Sequence, residues 1–139
     1  MALKAALVLD HRWCLEVLSG RKTWEIRSQD CRKRERIAIA TSAATSPTGK
    51  AQILGEVDII GSFKVADRAG DFFVPPPGAV KYIFLRRNFR YHKVGMRTFL
   101  KKFRGYKHVW AWQLANASLY SEPKLLKRPK GCINWVRLV

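Results

Sequence analysis

Acidic residues are almost missing from the second half of this chain. Between Phe72 and Val139 there is one, Glu122, against 15 basic residues, a balance of +14, whereas residues 1–71 hold 12 basic and 9 acidic residues, a balance of +3. Repulsion of that size works against a compact state unless a polyanion or salt screens it. Nucleic acid is the natural polyanion; the bland alternative is a basic, solubilising surface. Cysteine is also scarce. Cys14, Cys31 and Cys132 are odd in number and scattered, with no CxxC pair, and His11, His92 and His108 form no pair at zinc spacing. This argues against a disulfide framework, fits a reducing compartment, and leaves no credible metal set, since Glu56 and Asp58 lack partners in sequence. No cofactor is expected. No apolar run approaches the roughly 20 residues of a membrane span. Residues 5–9 are too short for a signal-peptide core and are stopped by Asp10. A soluble, cytoplasmic protein without a membrane partner is expected.

What is present is enough to fold. With 139 residues, 47% hydrophobic and 12% aromatic, the chain suits one domain with a single core. Residues 3–9 read as a buried strand. Asp10 suits a helix N-cap, with its carboxylate accepting from exposed N–H groups. Trp13, Cys14, Val17 and Leu18 share one helical face, and Gly20 follows as a stop. Residues 29–36 read as a charged loop and residues 36–42 as a strand with Ile37 and Ile39 on one face. Residues 43–52 read as a loop and residues 53–65 as a long strand kinked at Gly61. Residues 67–78 read as a loop ending in three prolines, and residues 79–92 fit helix or strand. Met96, Phe99, Leu100 and Phe103 have the spacing of an amphipathic helix. Residues 108–115 alternate as a strand, residues 118–130 read as a basic connection, and residues 132–139 as a closing strand. Strand, helix, several strands, a helical insertion and two more strands suit a small mixed barrel, an α+β fold, better than a parallel α/β sheet.

The most informative segment is Gly20-Arg21-Lys22-Thr23-Trp24-Glu25-Ile26-Arg27, where the helix ends and a strand begins. Alternation puts Thr23, Glu25 and Arg27 on one face and Trp24 and Ile26 on the other. The apolar face can enter a core. The other carries a paired Glu25 and Arg27, with Lys22 at the strand mouth. An arginine can bind phosphate bidentately and a glutamate can accept from an exocyclic amine such as that of cytosine. The same three residues also fit an ordinary surface ion pair, worth about 0–1 kcal/mol.

Other basic groups could extend such a site. Arg86, Arg87, Arg90 and Lys93 interleave with Phe84, Phe89 and Tyr91. Cations of this kind neutralise phosphates while exposed rings stack on unpaired bases. Phe84, Phe89, Phe99 and Phe103 are expected in the core, while Tyr91 fits either role. Lys101 and Lys102 lie on the polar side of the 96–103 pattern. Arg32, Lys33, Arg34 and Arg36 form a second cluster, a phosphate clamp if it lies near the cleft and a solubilising turn otherwise. Trp24, Trp110, Trp112 and Trp135 fit a core, though one of them could line the cleft. Thr41 and Ser42 are candidate pocket hydroxyls.

The octapeptide, Leu54-Gly55-Glu56-Val57, His108-Val109-Trp110-Ala111-Trp112-Gln113-Leu114 and Pro129-Lys130-Gly131-Cys132-Ile133-Asn134-Trp135-Val136 occur in that order. Together they resemble an ASCH domain, a branch of the PUA-like superfamily, over residues 3–138. Gly20, Lys22, Glu25 and Arg27 match that family's signature. The resemblance implies a PUA-like small mixed β-barrel of five to six strands with flanking helices. It also implies a cleft beside the signature strand for RNA or a nucleoside-like ligand. Some bacterial members are amidohydrolases acting on 4-acetylcytidine, and one member is a ribonuclease. The amidohydrolases use a lysine, a threonine three positions later and a distant glutamate. Lys22 matches the lysine, but Glu25 stands at the threonine position, and no glutamate occurs between Val57 and Ser121.

The leading expectation is a nucleic-acid-binding module for single-stranded or structured RNA, with a cleft for one base or nucleotide. The alternatives are a hydrolase acting on RNA or a modified nucleoside through Lys22 and Glu25, and a module that recognises an acidic protein.

Overall fold

The computed structural model of the chain describes residues 2–69, 72–74, 88–95, 98, 101, 103, 105–127 and 134–138. Strand β1 (Ala5–Leu9) is buried at every position because neighbours flank it on both edges and both faces are covered. It runs parallel to β3 (Arg36–Thr41) and antiparallel to β7 (Trp135–Arg137). Alternation then sorts the side chains. Leu7, Leu9, Ile37 and Ile39 enter the main core, while Ala6, Val8, Ala38 and Ala40 join Ala51, Leu126 and Val136 in a thinner second cluster.

Helix α1 (His11–Leu18) buries Trp13, Cys14, Val17 and Leu18, the face expected from their spacing, against β3 and the two long strands. The Cys14 thiol is fully buried and its pKa is pushed up to about 12, chiefly by desolvation. Asp10 takes the N-cap position, but its carboxylate makes no capping hydrogen bond. Its backbone carbonyl accepts from the N–H groups of Trp13 (3.0 Å) and Cys14 (3.1 Å) instead. Gly20, at φ +81°, turns the chain out of the helix into β2 (Trp24–Arg27), a conformation that glycine adopts without Cβ strain.

The sheet order is β2-β6-β4-β3-β1-β7, with β5 (Phe72–Val74) paired to β4 (Gln52–Ala69). β4 and β6 (His108–Leu125) form a long antiparallel ribbon. Its register shifts between Ile53 and Gly55, Glu56 and Asp58, Ile59 and Gly61, and Lys64 and Ala66. Bulges of this kind bend and twist a ribbon and curl the sheet. A short second helix, α2 (Phe89–His92), packs near β2.

The expected closed barrel is not formed: the sheet is open. Among the described residues its outer strands β2 and β7 do not pair with each other. They meet through side chains, Arg27 Nη1 donating to Asn134 Oδ1 at 2.9 Å and Trp112 of β6 stacking on Trp135 at 5.8 Å. Side chains of this size hold two backbones farther apart than the roughly 4.8 Å of a ladder. Two segments expected as loops are strand. Residues 67–69 pair with β5, and residues 118–125 continue β6 along β4. The second was hidden because both of its faces are largely wet: Leu119, Pro123 and Leu125 share one face but stay exposed, and Ser121 interrupts them. Ladder bonds and the Tyr120 hydroxyl on Glu56 Oε2 (2.6 Å) hold it in place. The prolines 75–77, Cys132 and most of the expected 96–103 helix lie outside the described residues. No helix among the described residues is long and apolar enough to cross a membrane.

At Gly55 backbone crosses close to backbone: a Cβ there would meet the Ser118 carbonyl oxygen and stand 2.8 Å from Leu18 Cδ2. At Gly61 a Cβ would meet the Gln113 side-chain amide, which can swing away. Gly55→Ala is therefore expected to destabilise by about 1–3 kcal/mol. Gly61→Ala should stay within about 1 kcal/mol of the parent. Urea unfolding midpoints of the two variants check this order.

Candidate functional site

The turn after α1 carries the signature inward. The backbone N–H of Lys22 donates to the Glu16 carbonyl (2.9 Å), Thr23 N–H to the Tyr91 carbonyl (2.8 Å), and Leu114 N–H to the Thr23 carbonyl (2.8 Å). With the backbone pinned on three sides, the Lys22 side chain goes into the interior, where the residue is 1% exposed. Its ammonium donates to the His92 carbonyl, lies 3.9 Å from Glu25 Oε1, and sits 4.8 Å from the Trp13 ring centroid. A buried ammonium needs all of these partners, since an uncompensated charge in the interior is costly. Desolvation nevertheless lowers the Lys22 pKa, and the Glu25 carboxylate opposes that shift.

Glu25 follows on β2, 6% exposed. Its Oε1 accepts from the Ile26 N–H at 3.1 Å. Its Oε2 is 3.6 Å from Arg27 Nη2 and has no hydrogen-bond partner among the described residues. Arg27 spends one donor on Asn134 and lies 5.6 Å over the Trp112 ring. The sequence therefore holds a carboxylate between two cations, and the fold turns that row toward a cavity.

The cavity has a volume of about 380 Å³ and opens beside the unpaired edges of β2 and β7. Lys22, Glu25 and Arg27 form one wall. Asp10, Ser42 and Asn134 add polar groups, and Val94, Phe103 and Tyr106 close it from the later part of the chain. Burial pushes the Tyr106 hydroxyl's pKa up. Asp10 was expected as a helix cap, not a cavity residue. Asn134 carried no assigned role, although it stands in the closing motif. No periodicity marks either position; only the curl of the sheet brings them to Arg27. Thr41 is buried beside Ser42 and does not line the cavity.

The remaining candidates divide. Arg32, Lys33 and Arg34 are exposed on the loop after β2. That loop is anchored beside the cavity wall, because Trp112 Nε1 donates to the Gln29 carbonyl at 2.8 Å. Lys33 pairs with Glu35 (3.3 Å) and lies 5.4 Å over Trp135, while Arg34 donates to the Cys31 and Lys33 carbonyls at 2.7 Å. Arg36 is turned elsewhere, bonded to Glu56 (2.6 Å) and Asp58 (3.0 Å) across the β3–β4 ladder. Arg90 is exposed and covers the Tyr91 ring at 4.6 Å; Tyr91 itself stacks on Trp24 at 4.8 Å. Phe89, expected in the core, is 48% exposed; it opens the one-turn α2, and among the described residues His92 and Lys93 lie against it. Lys93, at φ +61°, and Lys101 complete the described basic residues from this group. Arg86, Arg87 and Lys102 lie outside the described residues, as do Phe84 and Phe99. No three His, Cys, Asp or Glu side chains gather as a metal-binding set among the described residues.

The fold is similar to that of solved ASCH-domain proteins. It is similar to ASCH from Zymomonas mobilis, with a TM-score of 0.64 and 18% identity over 88% of this chain and 73% of that one. A serine-to-alanine variant of that protein gives a TM-score of 0.67 and 16% identity, over 97% and 87% of the two chains. A tyrosine-to-phenylalanine variant gives 0.64 and 17%, over 90% and 77%. No protein-family model and no curated protein sequence matches the chain.

Lys22→Met removes one partner of a buried charge pair and is expected to cost about 3–5 kcal/mol at pH 7. Because the folded pKa of Lys22 lies below 10.5, the unfolded chain binds the extra proton between those two values, and the stability contributed at this site rises with pH through that window. The stability gap between parent and Lys22→Met should therefore widen from pH 7 toward pH 10.5, read as urea midpoints at each pH.

Proposed function

We propose that the chain is a nucleic-acid-binding module of one domain, acting on RNA, whose cavity takes one base or nucleotide. The observation that carries this reading is Glu25 Oε2. It is a buried carboxylate oxygen without a hydrogen bond among the described residues, and its residue lines a cavity of about 380 Å³. Such a volume falls within the roughly 300–1,000 Å³ of small-ligand pockets. An acceptor-only oxygen there favours a ligand that donates, as the exocyclic amine of a base does. Arg27 retains donors beyond those turned to Asn134 and Glu25, and these suit a phosphate. The balance of +14 beyond residue 71 supplies the long-range attraction for a polyanion. The resemblance in fold to ASCH proteins agrees with this reading. A cytoplasmic setting is part of it, supported by the free thiols of Cys14 and Cys31.

The test is binding of a fluorescent single-stranded RNA across a series of KCl concentrations, with polyglutamate as a competitor. Affinity should fall with salt at a log–log slope of about −0.7 for each phosphate contact, and Arg27→Ala should flatten that slope by about one such contact. Glu25→Gln should weaken binding by about 1–3 kcal/mol. Salt-independent binding would exclude the reading, and preference for polyglutamate would favour an acidic protein partner.

A hydrolase is a second reading, favoured by the lowered pKa of Lys22 at the cavity wall, with Glu25 as general base. The Lys22 ammonium is turned to His92 and Glu25, so its role would be to orient charge. Incubation with RNA and with 4-acetylcytidine decides the matter: turnover abolished by Lys22→Met supports it, and no turnover excludes it.

A further inference from the structure

Beyond the cavity wall runs a row that the single-base reading leaves unused. Arg27 lies over Trp112 at 5.6 Å, Trp112 stacks on Trp135 at 5.8 Å with 19° between the rings, and Lys33 lies over Trp135 at 5.4 Å. The order is cation, ring, ring, cation. One end is Arg27 on the cavity wall; the other is the exposed loop carrying Arg32, Lys33 and Arg34. Asn134 lines the cavity and holds Arg27 at 2.9 Å, and Trp135 is the next residue. Trp112 occupies one face of Trp135, and among the described residues Lys33, on an exposed loop, lies over its outer face.

We infer that the outer face of Trp135 is a second subsite, where the base next to the one in the cavity stacks in place of Lys33. This rests on the proposed binding of one base in the cavity. Indole is a broad stacking surface, tolerant of base identity. Lys33 gives up a cation–π contact and its exposed ion pair with Glu35 (3.3 Å), each worth little in a mostly aqueous setting, and its ammonium then follows the strand's phosphate. Arg32 stands beside it, and the charge of the row suits a single strand threading from cavity to loop. Trp112 anchors the arrangement, since its indole N–H is fixed on the Gln29 carbonyl at 2.8 Å and the loop cannot drift from the rings.

Calorimetric titration with cytidine monophosphate and with the tetranucleotide of cytidine tests this. The parent should bind the tetranucleotide more tightly than the mononucleotide. Trp135→Ala should lose about 5- to 150-fold in tetranucleotide affinity, from one lost base stack, with mononucleotide affinity unchanged. Trp135→Phe should keep most of the advantage. Lys33→Ala, in an exposed loop and safe for folding, should lower the salt dependence of tetranucleotide binding alone by about 0.7 in log–log slope. Equal losses for both ligands in Trp135→Ala, or no effect of Lys33→Ala on the slope, would overturn the subsite and leave the cavity reading intact. Failure of the parent to bind either ligand would overturn both.

Discussion

The Lys22 ammonium is the tie on which the rest of the site depends. It is buried, and so must be compensated from three directions: the Glu25 carboxylate, the His92 carbonyl and the Trp13 ring. Those partners come from β2, from the last residue of α2, and from α1. Satisfying one charge thereby fixes the end of the helix, the first edge strand and a distant part of the chain relative to each other. The contact between Thr23 and the Tyr91 carbonyl reinforces the same junction. A lysine at the surface would impose none of this, because water would serve each of its donors.

The second constraint is that the sheet curls without closing. Bulges along the β4–β6 ribbon bring β2 and β7 near each other, and Arg27, Asn134, Trp112 and Trp135 occupy the gap where a ladder would run. A closed barrel would have joined those edges and removed the opening beside which the cavity lies. Short edge strands thus serve two ends here. They leave little unpaired backbone exposed, and they place polar and aromatic side chains at the rim. The Glu25 oxygen without a hydrogen bond among the described residues is tolerable because the Arg27 guanidinium lies 3.6 Å away. In a packed interior the same oxygen would be a defect.

Much of this was legible in local pattern. The buried β1, the apolar face of α1 with its glycine stop, the alternation of Ile37 and Ile39, and the grouping of Lys22, Glu25 and Arg27 all follow from spacing of 3.6 or 2. Residues 118–125 were not legible, because both faces of this strand are largely wet and Ser121 interrupts its exposed apolar positions. Asp10 was read as a cap because the chemistry of an N-cap is local. In the fold its backbone carbonyl does that work and the residue lines the cavity. Phe89 was placed in the core on hydrophobicity alone, and at the start of a one-turn helix it is 48% exposed.

By itself, the sequence determined the net charge of +17, the core residues of the first half, and the lysine, glutamate and arginine held within six positions of one turn and strand. These are properties of composition and of short periods, which need no knowledge of distant neighbours. Only the tertiary structure decided that Lys22 is buried, that Asn134 and Asp10 join Arg27 and Glu25 around one space, and that Trp112 and Trp135 stack between Arg27 and Lys33. Each of those depends on how far the sheet curls, and curl is summed over bulges and partners up to 107 positions apart.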